Sequence, residues 1–189
     1  MTVKKLMEQK KITKYQLAKE SGIPYTTVTD ICSGKTQLSK CSADTVYKLA
    51  KNLDVSMESL LEPYLTKRVD FELFKSSICH QVKALGDTGF IVQTLEEDWI
   101  RKYYEWDWYA ESLYLLAMLD YLSRLNRIPL CTRYDDLRRC RLSEVVFPAG
   151  VLAIAAASKT DAAKEQALTD AIPEFMRFNI VESEIRNVI

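Results

Sequence analysis

The sequence predicts an all-α protein, and three observations predict it. Apolar residues recur at i, i+3, i+4 and i+7 along most of the chain, the spacing of one helix face. Capping residues (Ser, Thr, Asp) and breakers (Gly, Pro) fall between segments of helix length. Only 5 Gly and 5 Pro occur in 189 residues, too few turn formers for a sheet-rich fold. The length suits one large domain or two small ones, and 48% apolar residues suffice for real cores.

The first helix is expected over Val3 to Lys10, with Thr2 as its cap and Val3, Leu6 and Met7 on one face. Lys10 and Lys11 end it with positive charge at the negative end of the helix dipole. Thr13 opens a second helix. Gln16, three residues on, completes a T-x-x-Q capping box. Leu17 and Ala18 face inward, Gly22 is a left-handed stop, and Ile23 is the buried residue of the turn. Pro24 starts a third helix, where its missing N–H costs nothing. Val28 and Ile31 point to the core. The outward face is then Tyr25, Thr26, Thr27, Thr29 and Asp30, with Ser33 at its end. A face made only for solubility would carry Lys and Glu. Hydroxyls suit base-edge and thymine-methyl contacts in a groove of duplex DNA. Two short helices, a tight turn and a hydroxyl-bearing second helix form the layout of a helix-turn-helix. Gly34-Lys35-Thr36 closes the unit, and its backbone N–H groups with Lys35 can approach a phosphate. Ser42 caps a fourth helix to about Leu53, with Val46, Leu49, Ala50 and Leu53 inward. Ser56 caps a fifth, which ends at Pro63.

The stretch from Leu6 to Leu61 resembles the Cro/repressor-type helix-turn-helix family, also called the XRE family. The residues that carry it are Thr13-x-x-Gln16-Leu17-Ala18, Gly22-Ile23, Val28, Ile31, Gly34-Lys35-Thr36 and Leu53-Asp54-Val55-Ser56-x-x-x-Leu60-Leu61. The pattern covers a third of the chain. The resemblance implies a five-helix, lambda-repressor-like domain that binds double-stranded operator DNA as a homodimer. By position it implies that Tyr25, Thr26, Thr29 and Asp30 face bases. It likewise implies that Thr13, Lys14, Thr27, Lys35 and Thr36 meet phosphate. One departure stands out. Many members pair an Arg in the first helix with a Glu near the end of the third, and here those places hold Met7 and Cys32. Asp30 on the reading face would repel phosphate unless it accepts from a cytosine amine.

The domains expected are 1–62, a short linker over 63–69, and a helical body over 70–189. In the body, Phe71, Phe74, Ile78, Val82 and Leu85 share a face, and Gly86 stops the helix. Asp87 caps a shorter helix with Phe90, Ile91 and Leu95. Asp98 caps Trp99 to Trp106, and Asp107 caps Trp108 to about Asn126. That last helix is apolar nearly all round, so it is expected in the middle of the body, with Arg124 as the partner of Asp120. Tyr134 to Arg139 reads as a short helix. Ala149 to Ala157 reads as a buried Ala-rich helix after Pro148. Thr160-Asp161 opens a further helix, and Pro173 the last, running to Ile189. Trp99, Tyr103, Tyr104, Trp106, Trp108 and Tyr109 form an aromatic cluster among acidic residues, which points to core or protein interface rather than to base stacking.

The net charge of zero hides an asymmetry. Residues 1–68 carry 12 Lys/Arg against 7 Asp/Glu, and residues 69–189 carry 14 against 19. A basic head on an acidic body fits a nucleic-acid-binding module joined to something else. No catalytic constellation, phosphate-binding glycine loop or metal-ligand set is found. His80 is the lone histidine, beside Cys79, which reads as a core thiol. Five scattered cysteines without a C-x-x-C fit free thiols in a reducing compartment. There is no apolar run long enough for a membrane span and no signal-peptide core, so a cytoplasmic protein is expected, without cofactor or enzymatic activity. The expected function is a sequence-specific transcriptional repressor. Three roles for residues 70–189 stay open: self-association, neutralising a toxin as the antitoxin of an autoregulated pair, and sensing a ligand or peptide. A protein-interaction module that binds no DNA is the alternative class.

Overall fold

A computed structural model describes residues 2–185. Among them the regular structure is helical, with a single bridge between Val146 and Ile180 and no strand. The chain divides into two compact units, Met1–Arg68 and Val69–Ile189.

The first unit holds α1 (Val3–Lys10), α2 (Lys14–Ser21), α3 (Tyr25–Cys32), a 3₁₀ turn (Leu38–Lys40), α4 (Ala43–Leu53) and α5 (Met57–Leu65). Its helix starts are set by side-chain caps. Thr2 accepts from the Lys5 N–H, Ser42 from Thr45 and Ser56 from Ser59. The Thr13–Gln16 box is closed both ways, at 3.1 and 2.8 Å. The left-handed residues Lys11, Gly22 and Asp54 end α1, α2 and α4. Leu17, Val28, Leu38, Leu49, Leu53 and Leu60 are fully buried in one core. At roughly 1.5–3 kcal/mol for each buried aliphatic side chain, these contacts hold the short helices that could not stand alone. One boundary differs from the sequence reading. α5 does not end at Pro63 but carries it inside and runs to Leu65. Near a helix end the proline removes one bond only, and the Thr66 N–H still reaches the Glu62 carbonyl at 3.0 Å.

The second unit begins with α6 (Phe71–Glu97), broken at Gly86, whose φ of 71° is non-helical. Then come α7 (Trp99–Glu105), α8 (Tyr109–Leu125), 3₁₀ turns at Thr132–Tyr134 and Leu137–Arg139, α9 (Ala149–Ser158), α10 (Ala162–Thr169) and α11 (Pro173–Met176). α8 is central, and every residue from Glu111 to Asp120 is buried. α6, α7 and α11 surround it. The Cys79 thiol is buried against the Tyr114 hydroxyl at 3.6 Å, and His80 is exposed.

Several sequence expectations for this unit are corrected. Asp120 does not pair with Arg124. It accepts from Arg138 at 2.8 and 2.9 Å and from Arg177 at 2.8 Å, while Arg124 reaches Glu174 at 2.6 Å. Asp120 is 1% exposed, so it needs partners that reach into the core, and these come from distant segments. Asp98 makes no side-chain cap bond at the start of α7, and the residue at the N-cap of α8 is Trp108 rather than Asp107. The Asp98 carboxylate accepts from the Tyr134 hydroxyl instead, at 2.7 Å. Asp107 accepts from Tyr109, beside it. Leu85 is exposed rather than inward. The short helix expected over 134–139 is two 3₁₀ turns. α11 stops at Met176, and the chain then turns so that residues 179–181 bond Val146; residues 186–189 of the long helix expected there lie outside the described residues. The Ala-rich α9 is not buried, since Ala155 is its one buried residue.

Candidate nucleic-acid interface

α2 and α3 meet through a turn whose geometry the sequence dictates. Gly22 takes φ 67°, a left-handed conformation that costs glycine nothing. Ile23 is buried beneath the turn, and Pro24 precedes the first residue of α3. Val28 and Ile31 anchor α3 in the core, which fixes its opposite side to solvent.

That side carries the residues expected to read DNA. Tyr25 is 52% exposed and Thr26 is exposed. Asp30 is half-buried, and its carboxylate lies 3.6 Å from the Lys35 ammonium. The loop after α3 folds back to make that contact. Its Thr36 N–H donates to the Asp30 carbonyl at 3.0 Å, and the Ser33 hydroxyl donates to the same carbonyl at 3.1 Å. The structure therefore couples a residue expected at bases to one expected at phosphate, an arrangement the sequence did not announce. Thr29 is half-buried and its hydroxyl is turned inward, where it makes no hydrogen bond. Leaving a buried hydroxyl unsatisfied costs about 1–3 kcal/mol.

Of the residues expected at phosphate, Lys35 and Thr13 are exposed, while Lys14, Thr27 and Thr36 are half-buried. The Thr13 side chain is engaged in the capping box. Behind α3, the Cys32 thiol lies 3.6 Å from the Met7 sulfur, so a thiol–thioether contact ties α1 to the end of α3. Burial raises the Cys32 thiol pKa, and the positive charges of Lys14 and Lys4 partly offset that rise. Lys4, exposed on α1, is thus a second cation whose charge, like that of Lys14, is felt at Cys32, and sequence reasoning passed over it. Its signal was a lysine opposite the Val3–Leu6–Met7 face. Tyr15, 67% exposed in the first turn of α2, was also missed.

Among the described residues no group of three His, Cys, Asp or Glu is placed to hold a metal, and no helix is long and apolar enough to cross a membrane. All five cysteines are free. The family model of the Cro/C1-type HTH DNA-binding domain matches residues 2–64. No curated protein and no solved structure matches the chain.

Proposed function

We propose that this DNA-binding transcription regulator, with its Cro/C1-type HTH domain at residues 2–64, is a repressor that occupies a two-fold operator as a homodimer. The observation that carries the reading is the outer side of α3. It is held rigid by Val28 and Ile31 and presents Tyr25, Thr26 and Ser33, hydroxyl groups without formal charge. In a major groove such groups donate to or accept from base edges. Two copies of α3 about 34 Å apart would read half-sites one helical turn apart. Lys14, Lys35, Thr13, Thr27 and Thr36 flank that side and supply contacts that set register. The Lys35–Asp30 contact reduces the repulsion between Asp30 and a phosphate, leaving the carboxylate free to accept from a cytosine amine. Repression follows from occupancy, because a protein seated over a promoter excludes the polymerase.

A gel-shift titration of the full chain against DNA upstream of its own gene tests this. A specific shift is expected. Lys14→Ala and Lys35→Ala should weaken binding to all sequences alike and lower the salt slope by about 1 each, whereas Thr26→Ala should relax base preference. No specific shift, or a shift indifferent to Tyr25→Ala and Thr26→Ala, would overturn the reading.

A second reading, that the same protein is an antitoxin, is favoured by the acidic balance of residues 69–189, 14 Lys/Arg against 19 Asp/Glu. An acidic body suits a basic toxin surface. Co-expression with the product of the adjacent gene tests it. Relief of toxicity that requires residues 69–189 is expected, and a harmless neighbour would contradict it.

A further inference from the structure

We infer that Ala149–Thr169 is a self-association surface, on which the α9–α10 hairpin of one chain packs against the same hairpin of a second copy around a two-fold axis. The inference rests on the operator reading only for its purpose, since that reading requires two copies.

α9 carries ten residues without a single charge, and one of them is buried. Ile154 is 59% exposed and Leu152 46%. α10 has no buried residue at all, and Leu168 on it is exposed. The main neighbour of α9 is α10. Helices of 10 and 8 residues are below the length of about 12–15 that is even marginal alone in water. A helix apolar all round belongs in an interior, and the described residues of the second unit supply none.

The hairpin is nonetheless anchored at both feet. Before α9, Val146 donates to the Asn179 carbonyl at 2.8 Å and accepts from Val181 at 2.9 Å. After α10, the Ile172 N–H donates to the Glu182 carbonyl at 2.7 Å. Both legs are therefore fixed to one segment, residues 179–182, while the length between them is uncovered.

Charge selects the occupant. Residues 149–169 contain Lys159, Lys164, Asp161 and Glu165, a net charge of zero, and Lys164 and Asp161 already pair at 2.9 Å. The second unit as a whole carries five more acids than bases. Two such units repel each other wherever acidic surface meets acidic surface, and the hairpin is a part where a copy can approach without that penalty. A basic partner would find no counter-charge there. Two hairpins side by side make a four-helix bundle with the α9 helices antiparallel at its centre. The midpoint of α9 falls at Ala153–Ile154, so in that arrangement Ile154 lies close to its own copy.

The test uses the full chain at tens of micromolar, in light scattering coupled to size exclusion and in sedimentation equilibrium. The expected mass is twice the 21.7 kDa of the chain. Ile154→Glu and Ile154→Lys should each halve that mass, with far-UV circular dichroism unchanged because the side chain is exposed. Mixing the two variants should restore the dimer, since opposite charges then meet across the axis. Leu65→Glu, at an exposed position of α5, should leave the dimer intact. A monomeric wild type, variants that stay dimeric, or a mixture that stays monomeric would each overturn the inference. A dimer sensitive to Ile154→Glu that binds no DNA would leave this surface standing and remove the operator reading. A monomer that binds DNA specifically would remove this surface and leave only the base-reading side of α3 standing.

Discussion

Thr29→Val separates what α3 costs the folded protein from what it does on DNA. The substitution keeps the branch at Cβ and nearly the same volume, and exchanges the inward hydroxyl for a methyl. That hydroxyl is buried and makes no hydrogen bond. Its desolvation is uncompensated in the folded state and relieved in the unfolded one. Removing it should stabilise the first unit by about 1 kcal/mol, the low end of the penalty for an unsatisfied buried group. For a domain of this size that is roughly 4–8 °C in Tm. The three tryptophans, Trp99, Trp106 and Trp108, lie in the second unit, so tryptophan fluorescence is blind to this transition. The assay is hydrogen exchange at core amides such as Leu17 and Leu49, read by mass spectrometry on the full chain. Protection should rise about fivefold for 1 kcal/mol. Under the proposed reading, in which the Thr29 hydroxyl turns out to a base edge on DNA, affinity for the operator should also fall, because valine has no hydroxyl to offer. Loss of stability in Thr29→Val would show that the hydroxyl has a partner in the folded protein and refute the reasoning.

Other outcomes follow from the same structure. Gly22→Ala should destabilise the first unit by about 1–2 kcal/mol in the same exchange assay, purely from the left-handed backbone, because no atom lies within 4 Å of the added Cβ; a neutral result would contradict it. Asp120→Asn breaks the clamp of Arg138 and Arg177 and leaves a guanidinium with an 11%-exposed side chain short of its counter-charge. Asp135 still holds Arg138, so a loss near 3 kcal/mol is expected in urea unfolding followed by tryptophan fluorescence, and a loss below about 1 kcal/mol would refute the clamp. Acid should destabilise the second unit. The bond from Arg101 holds the Asp136 carboxyl below the usual range; burial pushes Glu174 up, but the bonds from Arg124 and the backbone bring it below as well. A carboxylate depressed in the native state contributes stability present above the unfolded pKa of about 4 and lost as pH falls through the native value. Glu182, raised by burial against the pull of Lys75, has the opposite slope. Asp136→Asn with Glu174→Gln should therefore flatten the fall in stability below about pH 4, and an unchanged acid limb would contradict this.

The first unit was legible because its determinants are local. Thr2, Thr13 with Gln16, Ser42 and Ser56 each cap a backbone group within three residues, and Gly22 stops α2 where it stands. The outward face of α3 follows from the positions of Val28 and Ile31 alone. What stayed hidden depends on residues far apart in sequence. Asp98 looked like a cap, yet Tyr134, 36 positions on, offers its hydroxyl to the carboxylate. Asp120 and Arg124 have the right spacing for a pair, but Arg138 and Arg177 reach the core side of α8 and Arg124 does not. The apolar composition of α9 says that it wants cover without saying from what, and the reading of a buried helix assumed that the same chain supplied it. At the candidate interface, the Lys35–Asp30 contact depends on how the loop closes and the Thr29 rotamer on packing, neither of which a helical wheel encodes.

The central claim is that α3 reads base sequence. The most direct measurement selects duplexes from a random library with the full-length protein and then compares, by fluorescence anisotropy at several salt concentrations, the selected site with a scrambled one. The account predicts a two-fold motif with half-sites about 10 base pairs apart, tight binding to it, and loss of that preference in Thr26→Ala with the salt slope retained. Equal affinity for selected and scrambled duplexes, or a preference untouched by Thr26→Ala and Tyr25→Ala, would contradict it.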